Sequence, residues 1–172
     1  MKKWNGSNRT ITVDETDFKI QEQRDQPRSW YSHKFHGPGV RYEVGVGITS
    51  GDIVWIHGPK RAGRYPDITI FRMRLKEKLK QHGEMAVADN GYRGEPETID
   101  LPAEGPVVHC IMKDRYRGRQ ENVNKRFKNF GCLKQVFRHS VDFHRDCFEA
   151  VAVLVQMSFD NGQPMWDPTV AI

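Results

Sequence analysis

This 172-residue chain has little cysteine and no long apolar run. Cys110, Cys132 and Cys147 form an odd, widely spaced set. That argues against a disulfide framework and fits a reducing compartment. A membrane helix needs roughly 18 consecutive apolar residues. The best candidate, Ala150 to Val155, falls far short, so no membrane partner is expected. The opening Met1-Lys-Lys-Trp-Asn-Gly-Ser-Asn8 lacks the apolar centre of a secretory signal. Internal repeats and low-complexity tracts are also missing. Gly58-Pro-Lys-Arg-Ala-Gly63 lacks the closing Gly-Lys-Ser/Thr of a phosphate loop. Cys132, His139, His144 and Cys147 do not have the spacing of a zinc finger, so packing roles are expected for them.

What is present is charge. Lys and Arg total 27 against 22 Asp and Glu, a net charge of +5. That balance favours polyanionic partners without proving nucleic-acid binding. The length suits one domain spanning 1–172.

Strands are expected at Ile11 to Val13, extended by Phe18 and Ile20, at Tyr42 to Ile48 and at Ile53 to Ile56. Gly58 to Tyr65 reads as a loop. A helix follows, with Asp67 as N-cap, Ile68, Phe71, Leu75 and Leu79 on one face, and Gly83 as its stop. Glu84 to Ala88 reads as a buried strand leading to an Asn90-Gly91 turn. Gly94 to Pro106 reads as a loop and Val107 to Met112 as a further strand. Helices are expected over Gly118 to Phe130, with Val123, Phe127 and Phe130 inward, and over Asp142 to Met157. The second is apolar nearly all round and is expected to be buried. The tail from Asn161 should pack only in part. The sum is an α/β chain with a mixed central sheet flanked by helices.

Three acids stand in distinctive settings. Asp14, in Thr10-Ile-Thr-Val-Asp-Glu-Thr-Asp17, and Asp89, in Met85-Ala-Val-Ala-Asp-Asn-Gly-Tyr92, each follow an apolar β-like run. Strand ends are where open α/β sheets bind ligands. Glu121, in Arg119-Gln-Glu-Asn-Val-Asn-Lys-Arg-Phe-Lys128, lies on a basic helix. Arg117, Asn124, Lys125 and Lys128 share its helical face. Either that face is a solvated one with ordinary Glu-to-Lys pairing, or it sets an acid among cations for a purpose. Carboxylates are the ligands that hard divalent cations prefer. Lys60, Arg61 and Arg64 are candidates for phosphate contacts.

Several segments resemble DDE transposases of the PIF/Harbinger and related insertion-sequence type. They are Trp30-Tyr-Ser-His-Lys-Phe-His-Gly-Pro-Gly-Val-Arg-Tyr-Glu-Val44, Gly51-Asp-Ile-Val-Trp-Ile-His-Gly-Pro59, Pro66-Asp-Ile-Thr-Ile-Phe-Arg72, Gly83-Glu-Met-Ala-Val-Ala-Asp-Asn-Gly-Tyr-Arg-Gly94, and Glu121 to Gly131 with Val136-Phe-Arg-His139. The likeness runs from about Val13 to Pro168. It implies an RNase H-like fold and makes Asp14, Asp89 and Glu121 the three catalytic, metal-holding acids. It implies two divalent ions, Mg²⁺ or Mn²⁺, and cutting and joining of DNA during transposition. It also implies that Arg117, Lys125, Lys128, Lys60 and Arg61 contact DNA, with a separate DNA-binding protein or a second copy as a further partner. A nuclear location follows for a eukaryotic host and a cytoplasmic one for a bacterial host. Two departures stand out. The family's usual Asp-Gly-Thr is Asp14-Glu15-Thr16 here, which sets charge and bulk beside the first acid. The usual N-terminal helix-turn-helix region is not expected, since so few residues precede Asp14. These departures motivate an alternative, a catalytically inactive, transposase-derived DNA-binding protein.

Overall fold

The computed structural model describes residues 8–102, 105 and 107–165. Its centre is a six-stranded mixed sheet. β1 (Arg9–Lys19) pairs antiparallel with β3 (Gly37–Gly47), and β3 pairs antiparallel with β4 (Ile53–Arg61). The two-residue β2 (Tyr31–Ser32), which follows the short helix α1 (Pro27–Trp30), also joins β3. On its other side β1 runs parallel to β5 (Met85–Val87), and β5 runs parallel to β6 (Ile99–Asp100). A mixed sheet with helices is therefore the architecture, as the alternation of β-branched runs and helical spacing predicts.

Period-two alternation assigns each residue of β1 to a face. Thr12, Asp14, Thr16 and Phe18 face one layer. Ile11, Val13, Glu15 and Asp17 face the other. The first layer holds α4 (Val107–Phe127) and α6 (Val141–Asp160), joined through the short helix α5 (Gly131–Lys134). Phe18, Tyr42, Val44, Val123, Phe127, Phe148 and Val155 fill its core. The second layer holds α2 (Asp67–Met73) and α3 (Leu75–His82), whose Phe71, Leu75 and Leu79 pack on Ile11, Val13 and Ala86.

The expected single helix from Asp67 to Gly83 is two, because Arg74 leaves helical geometry at φ −146°. Asp67 is not the N-cap. Pro66 takes that position, and Asp67 instead accepts a hydrogen bond from Arg41 Nη1 at 2.7 Å. Gly83 does close α3, in left-handed geometry at φ 61°. The predicted loop from Gly58 is strand as far as Arg61. Val107 to Met112 is helix rather than strand. Val107 and Val108 are mostly exposed, so their β-branched character meets no sheet to pack on. Phe130 is only partly buried. α6 is not buried all round. Phe143, Val153, Leu154 and Met157 face outward, since the sheet and α4 cover only its other side. Of the tail, Met165 packs against the core. Residues 166–172, including the end of the resemblance at Pro168, lie outside the described residues, as do 1–7 and 103, 104 and 106. Among the described residues, no helix is long and apolar enough to cross a membrane.

Candidate functional site

The parallel pairing of β1 and β5 ends at Thr12 opposite Val87. Two residues beyond that last pair come Asp14, midway along β1, and Asp89, just past the end of β5. The register thus sets both acids at the same edge, where the β1–β5 ladder stops. Asp89 opens a single 3₁₀ turn (Asn90–Tyr92) and caps it, with Oδ1 accepting from Gly91 N at 2.8 Å. Gly91 fits here because it has no side chain. A Cβ would lie 2.7 Å from Asp67 Oδ2 and 2.9 Å from Asp89 Oδ1.

α4 crosses this edge, and polar groups fasten it to the sheet. Thr12 Oγ1 donates to Gln120 Oε1 at 2.7 Å, and Gln120 Nε2 donates to Val44 O at 3.1 Å. Arg119 reaches the carbonyls of Gly47 and Ile48. Asn124 Nδ2 donates to Asp14 Oδ2 at 2.9 Å. These bonds fix the rotation of α4, so that Arg117 and Glu121, one turn apart, face the acid edge.

The result is a cavity of about 230 Å³ lined by Thr12, Val13, Asp14, Lys34, Asp89, Arg117, Gln120 and Glu121. All three predicted acids line it, as does Arg117. Lys125 is exposed on α4 and Lys128 lines a neighbouring cavity. Lys60 and Arg61 lie on β4, separated from β1 by β3, and do not line the cavity. Arg61 is engaged locally, over the Trp30 ring at 4.8 Å and with Asp25 at 3.5 Å.

Burial raises the Asp14 carboxyl above its ordinary range. Lys34 opposes that shift, whereas the charges of Asp89 and Asp67 add to it. A cation between Asp14 and Asp89 would relieve their repulsion, and the oxygen donors are of the right hardness. Even so, among the described residues no three His, Cys, Asp or Glu side chains draw together into a metal-holding group. Glu121 shares the cavity without closing on the other two acids. The same finding applies to Cys132, His139, His144 and Cys147. His144 is buried in the core, where Nδ1 lies 2.8 Å from Tyr42 Oη.

Glu15 does not crowd Asp14. Alternation turns it to the opposite face, where Tyr92 Oη donates to its Oε1 at 2.5 Å. It lies beside Glu43, its cross-strand partner. Burial, with the charge of Asp67, lifts Glu15 well above the ordinary carboxylate range. Asp17 on that face is matched by Arg41, through bonds of 2.7 and 3.0 Å.

Lys34 is the residue that sequence reasoning missed. Its Nζ donates to Glu15 O at 2.7 Å and its charge bears on Asp14. The chain folds it in from the hairpin between β2 and β3, where no periodic pattern signals it. Comparison with known proteins found no matching family model, no matching curated protein and no matching solved structure.

Proposed function

We propose that this protein is a divalent-metal-dependent DNA endonuclease of the DDE transposase type. The observation that carries the reading is that Asp14, Asp89 and Glu121, far apart in sequence, line one cavity under a basic helix. The strand order β4-β3-β1-β5-β6, with only β3 antiparallel to its neighbours β1 and β4, supports an RNase H-like arrangement. So does the position of the third acid, on the helix after the last strand.

In this reading Asp14 and Asp89 would hold divalent metal, with Glu121 contributing from the facing helix. Such ions supply activation of a water or a 3′-hydroxyl and stabilisation of the leaving oxygen. Asn124 orients the Asp14 carboxylate through its Oδ2. Gly91 N does the same for Asp89 through its Oδ1. Arg117 and Lys34 place positive charge at the mouth, where a phosphodiester must be steered and held against three acids.

One observation favours the binding-only alternative, namely that the three acids do not draw together into a closed group among the described residues. Nicking of supercoiled DNA separates the two. Wild-type protein should nick in Mg²⁺ or Mn²⁺ and not in EDTA. Asp89→Asn should lose at least about 100-fold in rate while still binding DNA, because the carboxylate charge is gone and its shape kept. No metal-dependent nicking by wild type, even with a DNA-targeting partner supplied, leaves the binding-only reading.

A further inference from the structure

A second cavity, of about 250 Å³, adjoins the first and shares Lys34 with it. It is lined by Asp17, Phe18, Lys19, Lys34, Phe35, Lys128, Leu133 and Lys134. Four lysines line it, from three parts of the chain: the end of β1, the β2–β3 hairpin, and the α4–α5 region. None of the four forms an ion pair among the described residues. The cavity's one acid, Asp17, is already matched. Burial alone would raise it, but Arg41 and Ser32 outweigh that and hold it below the ordinary range. Lys128 is pushed down, first by burial and then by the charge of Lys34. Cations gathered this way repel one another until an anion arrives.

The floor is apolar. Lys19 sits over the Phe35 ring at 5.6 Å and Lys128 over Phe18 at 5.8 Å. A small free anion uses the charge and leaves this floor bare. A nucleotide uses both, with its phosphate on the lysines and its sugar or base on the rings and Leu133. We infer that the second cavity seats a nucleotide flanking the one held among Asp14, Asp89 and Glu121, so that the bound DNA strand runs along α4 from Arg117 towards Lys134. This rests on the proposed nuclease reading for its polarity relative to the acids, but not for binding itself.

The test is fluorescence anisotropy with a short labelled DNA duplex in EDTA, over a series of salt concentrations. Lys19→Ala, Lys34→Ala and Lys134→Ala should each weaken binding about 5- to 8-fold at 0.1 M salt and flatten the salt slope by about one unit. Lys34→Arg should restore most of the loss. Lys78→Ala, on exposed α3 of the opposite layer, should bind as wild type. Unchanged binding by the three variants overturns the inference. So does an equal loss in Lys78→Ala, which would mean diffuse charge alone. Inorganic phosphate that displaces the duplex as well, phosphate for phosphate, as unlabelled DNA overturns the nucleotide seat in favour of a small-anion site. Because no metal is present, lysine-dependent binding with no nicking in Mg²⁺ sinks the enzyme reading and leaves the groove standing. Nicking with lysine-independent binding does the reverse.

Discussion

Glu43 sits fully buried on the sheet face opposite the site, with Trp55 Nε1 donating to its Oε2 at 2.7 Å. Among the described residues its Oε1 has no hydrogen-bond partner. Burial, with the charge of Asp67, pushes its carboxyl from 4.5 up to about 7, against the Trp55 bond. The folded chain therefore keeps this proton to near neutrality, while the unfolded chain releases it near 4.5. Between those values the native state binds more protons, so stability falls as pH rises through the window. Below the window the burden is gone. Glu43→Gln keeps the acceptor for Trp55 and cannot ionise. It should stabilise the fold on the order of 3 kcal/mol at pH 8 and leave it unchanged at pH 4. Denaturant melts at the two pH values check this, and an equal effect at both would rule out ionisation as the cause. Asp14, one strand-neighbour of Glu15, lies in a different chemistry altogether. Alternation puts it towards α4 and Asn124, in a cavity open to ligands.

Among the elements, α4 and α6 carry opposite lessons. The buried face of α4 is mixed, with Lys113, Arg119, Gln120 and Asn124 buried beside Tyr116, Val123 and Phe127. Lys113 Nζ donates to Asp100 Oδ1 at 2.6 Å, and Gln120 and Arg119 bond to β1 and β3. Polar docking blurs the apolar stripe, and in the first turns the largely exposed run from Val107 to Met112 reads as a strand instead. On α6 apolar residues lie on both sides, so the stripe does not tell which side is inside. The structure decides it. Phe148 stacks on Tyr42 at 3.9 Å between ring centroids and meets Phe127 at 5.0 Å, while Leu154 faces outward. Phe148→Ala should then cost about 3–5 kcal/mol through the cavity it leaves. Leu154→Lys, equally drastic in polarity, should stay within about 0.5 kcal/mol. Thermal melts of the two variants check the contrast, and a large loss in Leu154→Lys would mean that α6 is covered on its outer side.

At the scale of the whole molecule, the sheet separates two kinds of acid. Glu15 and Glu43 lie on the α2 side, held by Tyr92 and Trp55. Asp14 and Asp89 lie at the edge under α4, where a ligand from solvent can reach them. A divalent ion that binds only the native site stabilises it by mass action, about 2.7 kcal/mol at a hundredfold excess over Kd. Mg²⁺ should thus raise the melting temperature, EDTA should reverse it, and Asp14→Asn should abolish the shift. A shift that survives Asp14→Asn would place the ion elsewhere. The amino-acid sequence by itself determined the mixed α/β plan, the β-like runs that lead into Asp14 and Asp89, and the basic helix of Glu121. Those follow from local periodicity and turn chemistry, which are written in neighbouring residues. Only the tertiary structure decided that the three acids share a cavity, that Lys34 joins them, that Glu15 turns away and that Lys60 and Arg61 stay apart. Strand register and helix rotation set those relations, and both are fixed by hydrogen bonds between residues far apart in the chain.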